Sequence, residues 1–478
     1  MKNPIMNMDF PDPDVIRVDD TYYMVSTTMY FMPGCAILRS YDLMNWELIG
    51  HVYDKLEDVP EHNLYKDTNI YGQGMWAPCI RYNKGKFYVC FSSNDMHTTY
   101  LFTADSVEGP WTKGTIAGFY YDSSLLFDDD GKVYIVHGNK TIRITELEDD
   151  LSGPKDGGFD EIVIEDKDHP GLGYEGSHFY KINGRYYVFF IHSLREKWFR
   201  TEACFTAKTL DGEWEGGDVL VDDMGYRGMG VAQGGIVDTP DGDWYAVLFQ
   251  DRGAVGRVPV VVPFEWKDGM PAMGDRGYVP KEINIKSTRP DHKYEPLYAS
   301  DDFSGKLKNV WEWNHNPQSE LWSLDERKGA LRLTSGKFCK ELTESYNTLT
   351  QRTKEPVSSG IVTVDASGIN AGDYAGICAL QGQYAAVAIT KKRDIYQLVM
   401  FGNGLEIFEK VNIDSPVVRL KCTFDSSGEN DTSSFYYQKG DEWVKIGITK
   451  KMVFRLDHFT GCRFGLFNFS TEETGGYA

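Results

Sequence analysis

The chain has no paired cysteines: its eight stand singly at positions 35, 79, 90, 204, 339, 378, 422 and 462, with no C-x-x-C among them. That spacing speaks against a thiolate zinc site and a disulfide scaffold, and leaves buried free thiols as the expectation. Sustained helical periodicity is also lacking, as are a run of transmembrane length and a basic-then-apolar leader. The chain therefore reads as soluble and cytoplasmic, and a periplasmic or secreted chain freed of its signal peptide would read the same. Positive charge is scarce. With 50 Lys and Arg against 71 Asp and Glu, the net charge is −21, which argues against nucleic acid and anionic membrane as partners.

What the chain does have is aromatic side chains, 29 Tyr, 26 Phe and 11 Trp, beside 48 Gly in 478 residues. This composition favours an all-β fold. At this length a single core has stopped growing, so two domains are expected. Five segments share one outline, an apolar strand, a polar turn usually closed by Gly, and an aromatic-rich strand: Asp14 to Thr27, Cys79 to Ser93, Ser124 to Gly138, Ser177 to Ser193 and Gly234 to Gln250. Each predicts a β-hairpin. Five such repeats predict a five-bladed β-propeller, with the strands around Lys267-Asp268-Gly269 completing the last blade. A Pro- and charge-rich stretch from Lys286 to Lys306 marks a linker, giving a propeller over 1–297 and a second domain over 298–478. Short strands at regular spacing in that second part predict a β-sandwich.

The repeats share a tyrosine, at Tyr23, Tyr88, Tyr134, Tyr187 and Tyr245. Twelve residues before it the chain holds Trp76, Asp122, Glu175 and Gln233 in four repeats, and Asp12 takes the place in the first, whose turn is one residue shorter. Equivalent positions in radial repeats converge on one end of the axis. Three carboxyl groups, an amide and a tryptophan are thus expected around the mouth of the central channel. Clustered carboxyls push their pKa values apart, so that one serves as an acid while another serves as a base, as glycosidic bond cleavage requires. Asp128, Asp129 and Asp130 fill a hairpin turn and are expected to be solvated, and His178 reads as a hydrogen-bonded strand residue.

At these positions the sequence resembles glycoside hydrolase family 43, through FPDPDVIRV, GMWAPCIRY, YDSSLLFDDDGKVY, YEGSHFYKINGRYY, AQGGIVDTPDGDWY, GAVGR and FEWKDGMP. The resemblance implies an inverting enzyme with Asp12 as general base, Asp122 as the modulator that orients the acid, and Glu175 as general acid. It implies that Arg257 contacts sugar hydroxyls, that Trp76 and Phe31 are aromatic walls of the sugar site, and that Gln233 stands where many members have a histidine. No cofactor is implied. That histidine helps some members hold an axial calcium, and a neutral amide is a weaker ligand, so no metal site is assigned. The second domain resembles a concanavalin-like β-sandwich (a jelly roll) through WEWNHNP, YNTLTQRT and GDYAGICAL, and implies a loop that closes the pocket, with the polar YNTLTQRT segment as its expected source. Relatives run on into a last strand beyond the terminal GGYA. The implied activity is exo-acting release of a terminal β-D-xylose or α-L-arabinofuranose from small hemicellulose oligosaccharides. A fructan-cleaving retaining enzyme would carry NDPNG-like and RDP segments, which the chain lacks. A non-catalytic glycan-binding propeller would lack the acid set.

Overall fold

A computed structural model describes residues 2–478. Its first part consists of five four-stranded antiparallel sheets in chain order, each running from its first strand outward. The five first strands are Asp14–Val18, Met75–Asn83, Ser124–Phe127, Glu175–Ile182 and Ala232–Asp238. Each touches the next, and the fifth touches the first, so they close a ring. The shared tyrosine lies in the second strand of every sheet, opposite Ile16, Arg81, Leu126, Tyr180 and Val237 of the first. Apolar alternation buries residues such as Val89, Val136, Val188 and Val247 between neighbouring sheets, and this burial drives the radial packing. The fifth sheet is completed by Arg257–Lys267 and Met270–Met273.

Inside the ring a buried polar network replaces apolar filling. Asp14, fully buried, pairs with Arg81 at 2.7 Å and with His178 Nδ1 at 2.9 Å, while Arg81 also donates to Ser124 Oγ and to the Leu125 carbonyl. One arginine thus joins strands of the first, second and third sheets, and His178 is the bonded strand residue its sequence suggested. Gly235 is required beside this network, since a Cβ there would lie 2.5 Å from Asp14 Oδ1. One turn departs from expectation. Asp128 is buried, held by Lys181 and Tyr186 of the neighbouring sheet, whereas Asp129 and Asp130 are exposed as expected.

The stretch from 286 to 306 contains no strand and is packed along the first sheet: Arg289 pairs with Asp20 at 2.8 Å, His292 with Glu47 at 2.9 Å, and the Tyr41 N–H donates to Tyr294. Beyond it, a four-stranded and an eight-stranded sheet sandwich a core that includes Ile377, Val387, Leu398 and Met400 with Leu420, Phe424, Phe435 and Ile446. The edge of the larger sheet is Phe31–Met32, a strand from the first sheet's own connection, paired with Trp313 and Asn314. The YNTLTQRT segment is no loop. It forms the strand Leu349–Arg352 beside Glu312–Asn314 and Arg463–Ser470, with Leu349 and Thr350 fully buried. Its polarity is explained by Glu312, a buried carboxylate that accepts from Arg352 and His51 at 2.9 Å each and from Arg463. Burial alone would raise the Glu312 pKa, and the two guanidinium groups and His51 outweigh it and hold it well below the usual range.

Candidate active site

A left-handed backbone kink recurs where each first strand enters the ring: Asp12 (φ 51°), Ala77 (φ 42°), Asp122 (φ 48°), Gly176 (φ 63°) and Gln233 (φ 58°). Four of these are not glycine, and such conformations cost about 1–3 kcal/mol each and cluster at functional sites. The kinked residues surround a small axial cavity of about 10 Å³, room for about one water. The residues just before three of the kinks, Trp76, Tyr121 and Glu175, line the adjoining open pocket together with Asp12, Asp122 and Gln233. The count from the tyrosine therefore reaches the kink itself in the third and fifth repeats and its predecessor in the second and fourth. Irregular register near Trp76, Glu175 and Ala232 accompanies the kinks.

The three carboxyls have different surroundings. Asp12 is buried, and its Oδ1 accepts from Arg257 Nη1 at 2.6 Å. Asp122 is buried, and among the described residues its carboxyl accepts from one N–H, that of Gly176 at 3.1 Å. Burial, then the charges of Glu175 and Asp12, push its pKa well above the ordinary carboxyl value. Glu175 is half-buried and receives the Asn139 side-chain amide. Its pKa is also raised, by burial first, against the opposing pull of Arg257, Arg200 and Asn139. Tyr121 is pushed up in turn, chiefly by the Asp122 charge. The site thus contains a carboxylate tied to a cation beside two carboxyls disposed to hold protons.

Arg257, the first residue of its strand, lies buried between two rings, with its guanidinium carbon 4.7 Å from the Phe249 centroid and 4.4 Å from that of Phe459. Arg200, another strand-opening residue, pairs with Asp251. Gln233 lines both cavities, its N–H donating to buried Glu202 at 2.7 Å. Trp76 lines the pocket at 5.3 Å from Phe459. Phe31 is not among the lining residues. It is buried at the junction of the two domains, under the Arg463 guanidinium 3.5 Å from its ring centre, because its strand has joined the sandwich sheet.

The aromatic group that the second domain brings to the pocket is Phe459, from the turn after Lys451 and before Arg463. Asp9 anchors that turn to the site: its carboxylate accepts from the N–H groups of Arg257 and Gly461, each at 2.8 Å. Asn139, Arg200 and Asp251 could have been found in the sequence, since second strands end and third strands begin at the same end of the ring as first strands start. Phe459 carries no such signal. For an axial calcium the donor set is poor, with Asp12 Oδ1 committed to Arg257 and His178 Nδ1 to Asp14.

Comparison with known proteins identifies the family of each part of the chain. The family Glycosyl hydrolases family 43 matches residues 1–271, and the family Beta xylosidase C-terminal Concanavalin A-like domain matches residues 300–478. The structure of a bifunctional GH43-CE protein of Bacteroides eggerthii superposes with a TM-score of 0.92 at 41% identity, covering all of this chain, which spans 62% of that one. A β-xylosidase of Formosa agariphila is 27% identical over 99% of this chain and 88% of its own length. A non-reducing end α-L-arabinofuranosidase of Bacteroides ovatus is 31% identical over 70% of this chain and 64% of its own. With matches over both of its parts, this chain belongs to glycosyl hydrolases family 43, and it is a glycoside hydrolase with a concanavalin-like second domain.

Proposed function

We propose that the protein removes terminal pentose, β-D-xylose or α-L-arabinofuranose, from short hemicellulose oligosaccharides by inversion. The observation that carries this reading is the meeting of Asp12, Asp122 and Glu175 in one pocket with unlike surroundings. Asp12 activates water, since its Oδ1 is fixed by Arg257 while Oδ2 has no partner among the described residues. Glu175, with its raised pKa, protonates the leaving oxygen. Asp122 lies on the Glu175 side, bonded to the N–H that follows it, and adjusts the acid. Arg257 and Trp76 hold the sugar, through a fork of donors and an apolar face. Phe459 closes one side, which suits a chain end better than the middle of a polymer. In the same reading the five sheets are the five blades of a propeller, with the boundary near 297.

Experiment distinguishes the two pentoses. Hydrolysis of p-nitrophenyl β-D-xyloside and α-L-arabinofuranoside should be measured side by side, and the first-formed anomer from xylobiose or an arabino-oligosaccharide followed by NMR. Inactivity on both glycosides would refute the substrate class. Retention of configuration would refute the assigned roles.

A further inference from the structure

Behind the strand that carries Glu175, three ligand-type side chains meet. Asp166, His169 and His192 each bring one potential ligand atom within 4.8 Å of the others, the one such group among the described residues. His169 and His192 are buried, and Asp166 is partly exposed, which leaves an entry path. A second observation concerns the imidazoles. His169 Nε2 and His192 Nδ1 are both buried without a hydrogen-bond partner among the described residues.

His192 is already arranged as a ligand. Its Nε2 bonds the Asp218 carboxylate, and Thr201 donates to the same oxygen of Asp218 at 3.2 Å. This places the proton on Nε2 and leaves the Nδ1 lone pair unused, the carboxylate–histidine arrangement that orients metal-binding imidazoles. His169 accepts the Gly171 N–H on Nδ1 at 3.1 Å, so its own proton sits on Nε2. Ligation through Nε2 moves that proton to Nδ1 and gives up the Gly171 bond. Among the described residues Asp166 makes one side-chain ion pair, with the 55% exposed Arg195 at 3.4 Å, while the nearby Lys140 ammonium is taken up by the His169 carbonyl at 2.7 Å.

We propose that Asp166, His169 and His192 form a binding site for a borderline first-row divalent cation, with Zn²⁺ as the fitting case and water as the fourth ligand. Two imidazoles and one carboxylate suit such an ion and not calcium or magnesium, which take oxygen ligands. At metal–ligand distances of about 2.0–2.2 Å a tetrahedral ion holds its ligand atoms roughly 3.3 Å apart, so the three groups close by about 1.5 Å at most on binding. The segment that closes is the one leading into Glu175. Leu172 lies within it and lines the pocket, the Ser193 N–H donates to the Leu172 carbonyl at 2.9 Å, and Ile191, next to His192, is the cross-strand partner of Glu175. An ion here acts on the active site only by bracing that segment.

The test uses tag-free full-length protein washed with chelator. Titration with Zn²⁺ by calorimetry should give one equivalent per chain, and Co²⁺ should give the visible absorption of a four-coordinate site. Asp218→Asn, which keeps all three ligands, should weaken binding about 10–100-fold. Asp166→Asn, on a partly exposed loop and so compatible with folding, should lose stoichiometric binding and the rise in Tm that Zn²⁺ gives the unaltered chain. His192→Gln should lose the Co²⁺ spectrum. Absence of a stoichiometric, Tm-raising site in the unaltered chain would overturn the proposal, as would Asp166→Asn and His192→Gln variants that bind as it does.

Discussion

Arg257 Nη1 lies 2.6 Å from Asp12 Oδ1, both side chains being buried, although the two residues are 245 positions apart. The same arginine is fixed through its backbone N–H to Asp9, which also holds the turn of the second domain next to Phe459. One guanidinium therefore orients a carboxylate of the first domain while an aromatic ring of the second packs against it. The active site and the domain junction share parts.

Asp12→Asn and Glu175→Gln should each lower kcat on an unactivated oligosaccharide by about 10²–10⁴-fold, the usual contribution of a general acid or base. Both variants should retain cooperative unfolding. An aryl glycoside with a good leaving group needs little protonation, so it should restore much of the rate to Glu175→Gln and little to Asp12→Asn. Near-normal turnover by either variant on xylobiose or an arabino-oligosaccharide would show its role to be misassigned.

Asn139→Ala removes a hydrogen bond that favours the charged form of Glu175. In its proposed role as general acid Glu175 works only while protonated, so kcat/KM should fall as pH rises through its pKa. Without Asn139 that pKa moves further up, and the alkaline limb of the kcat/KM profile should shift to higher pH. A shift in the opposite direction would mean that another group sets this limb.

Asp122 should stabilise the fold when neutralised. An unfolded Asp titrates near 3.9, whereas burial and the neighbouring charges raise Asp122 in the folded chain. From about pH 4 up to the raised pKa the folded state binds the extra proton, so stability falls as pH rises across that window. Asp122→Asn should therefore have a higher Tm than the unaltered chain at pH 7, with the gap narrowing towards pH 4, while kcat drops. Equal Tm values at both pH values would contradict the burial cost ascribed to Asp122.

Phe459→Ala and Glu312→Gln separate the two services of the second domain. Phe459 faces the pocket, so its loss should reduce kcat/KM by tenfold or more, about 1.4 kcal/mol of transition-state binding. Glu312 lies at the domain junction under two guanidinium groups, and neutralising it leaves buried cations uncompensated, a loss of about 3–5 kcal/mol. Its effect should appear in Tm, with kcat/KM largely kept well below that temperature. Unchanged kinetics for Phe459→Ala would leave the domain a structural role alone.

Much of the first domain was legible because its order is local and repeated. Period-two alternation and Gly-closed turns set out the hairpins, and a tyrosine held at one place in each marked a common phase. That phase placed Asp12, Trp76, Asp122, Glu175 and Gln233 at one end of the ring. The left-handed kinks beside the strand entries were not legible: Asp and Gly tolerate that conformation but mark ordinary turns just as often, and Ala and Gln carry no such signal. Asp128 was misread for a related reason: its turn looks solvated until Lys181 and Tyr186 of the next sheet close over it.

The sequence by itself determined the all-β character through its composition, and the repeat and the convergence of three acids through spacing along the chain. Only the tertiary structure decided that Phe31 leaves the pocket, that YNTLTQRT is a buried strand and that Phe459 completes the site. These rest on pairings across the domain junction, where Phe31–Met32 enters a sheet of distant strands and Glu312 gathers two arginines. Such pairings are chosen by the burial of charge and backbone groups in three dimensions. Spacing along the chain carries no record of them.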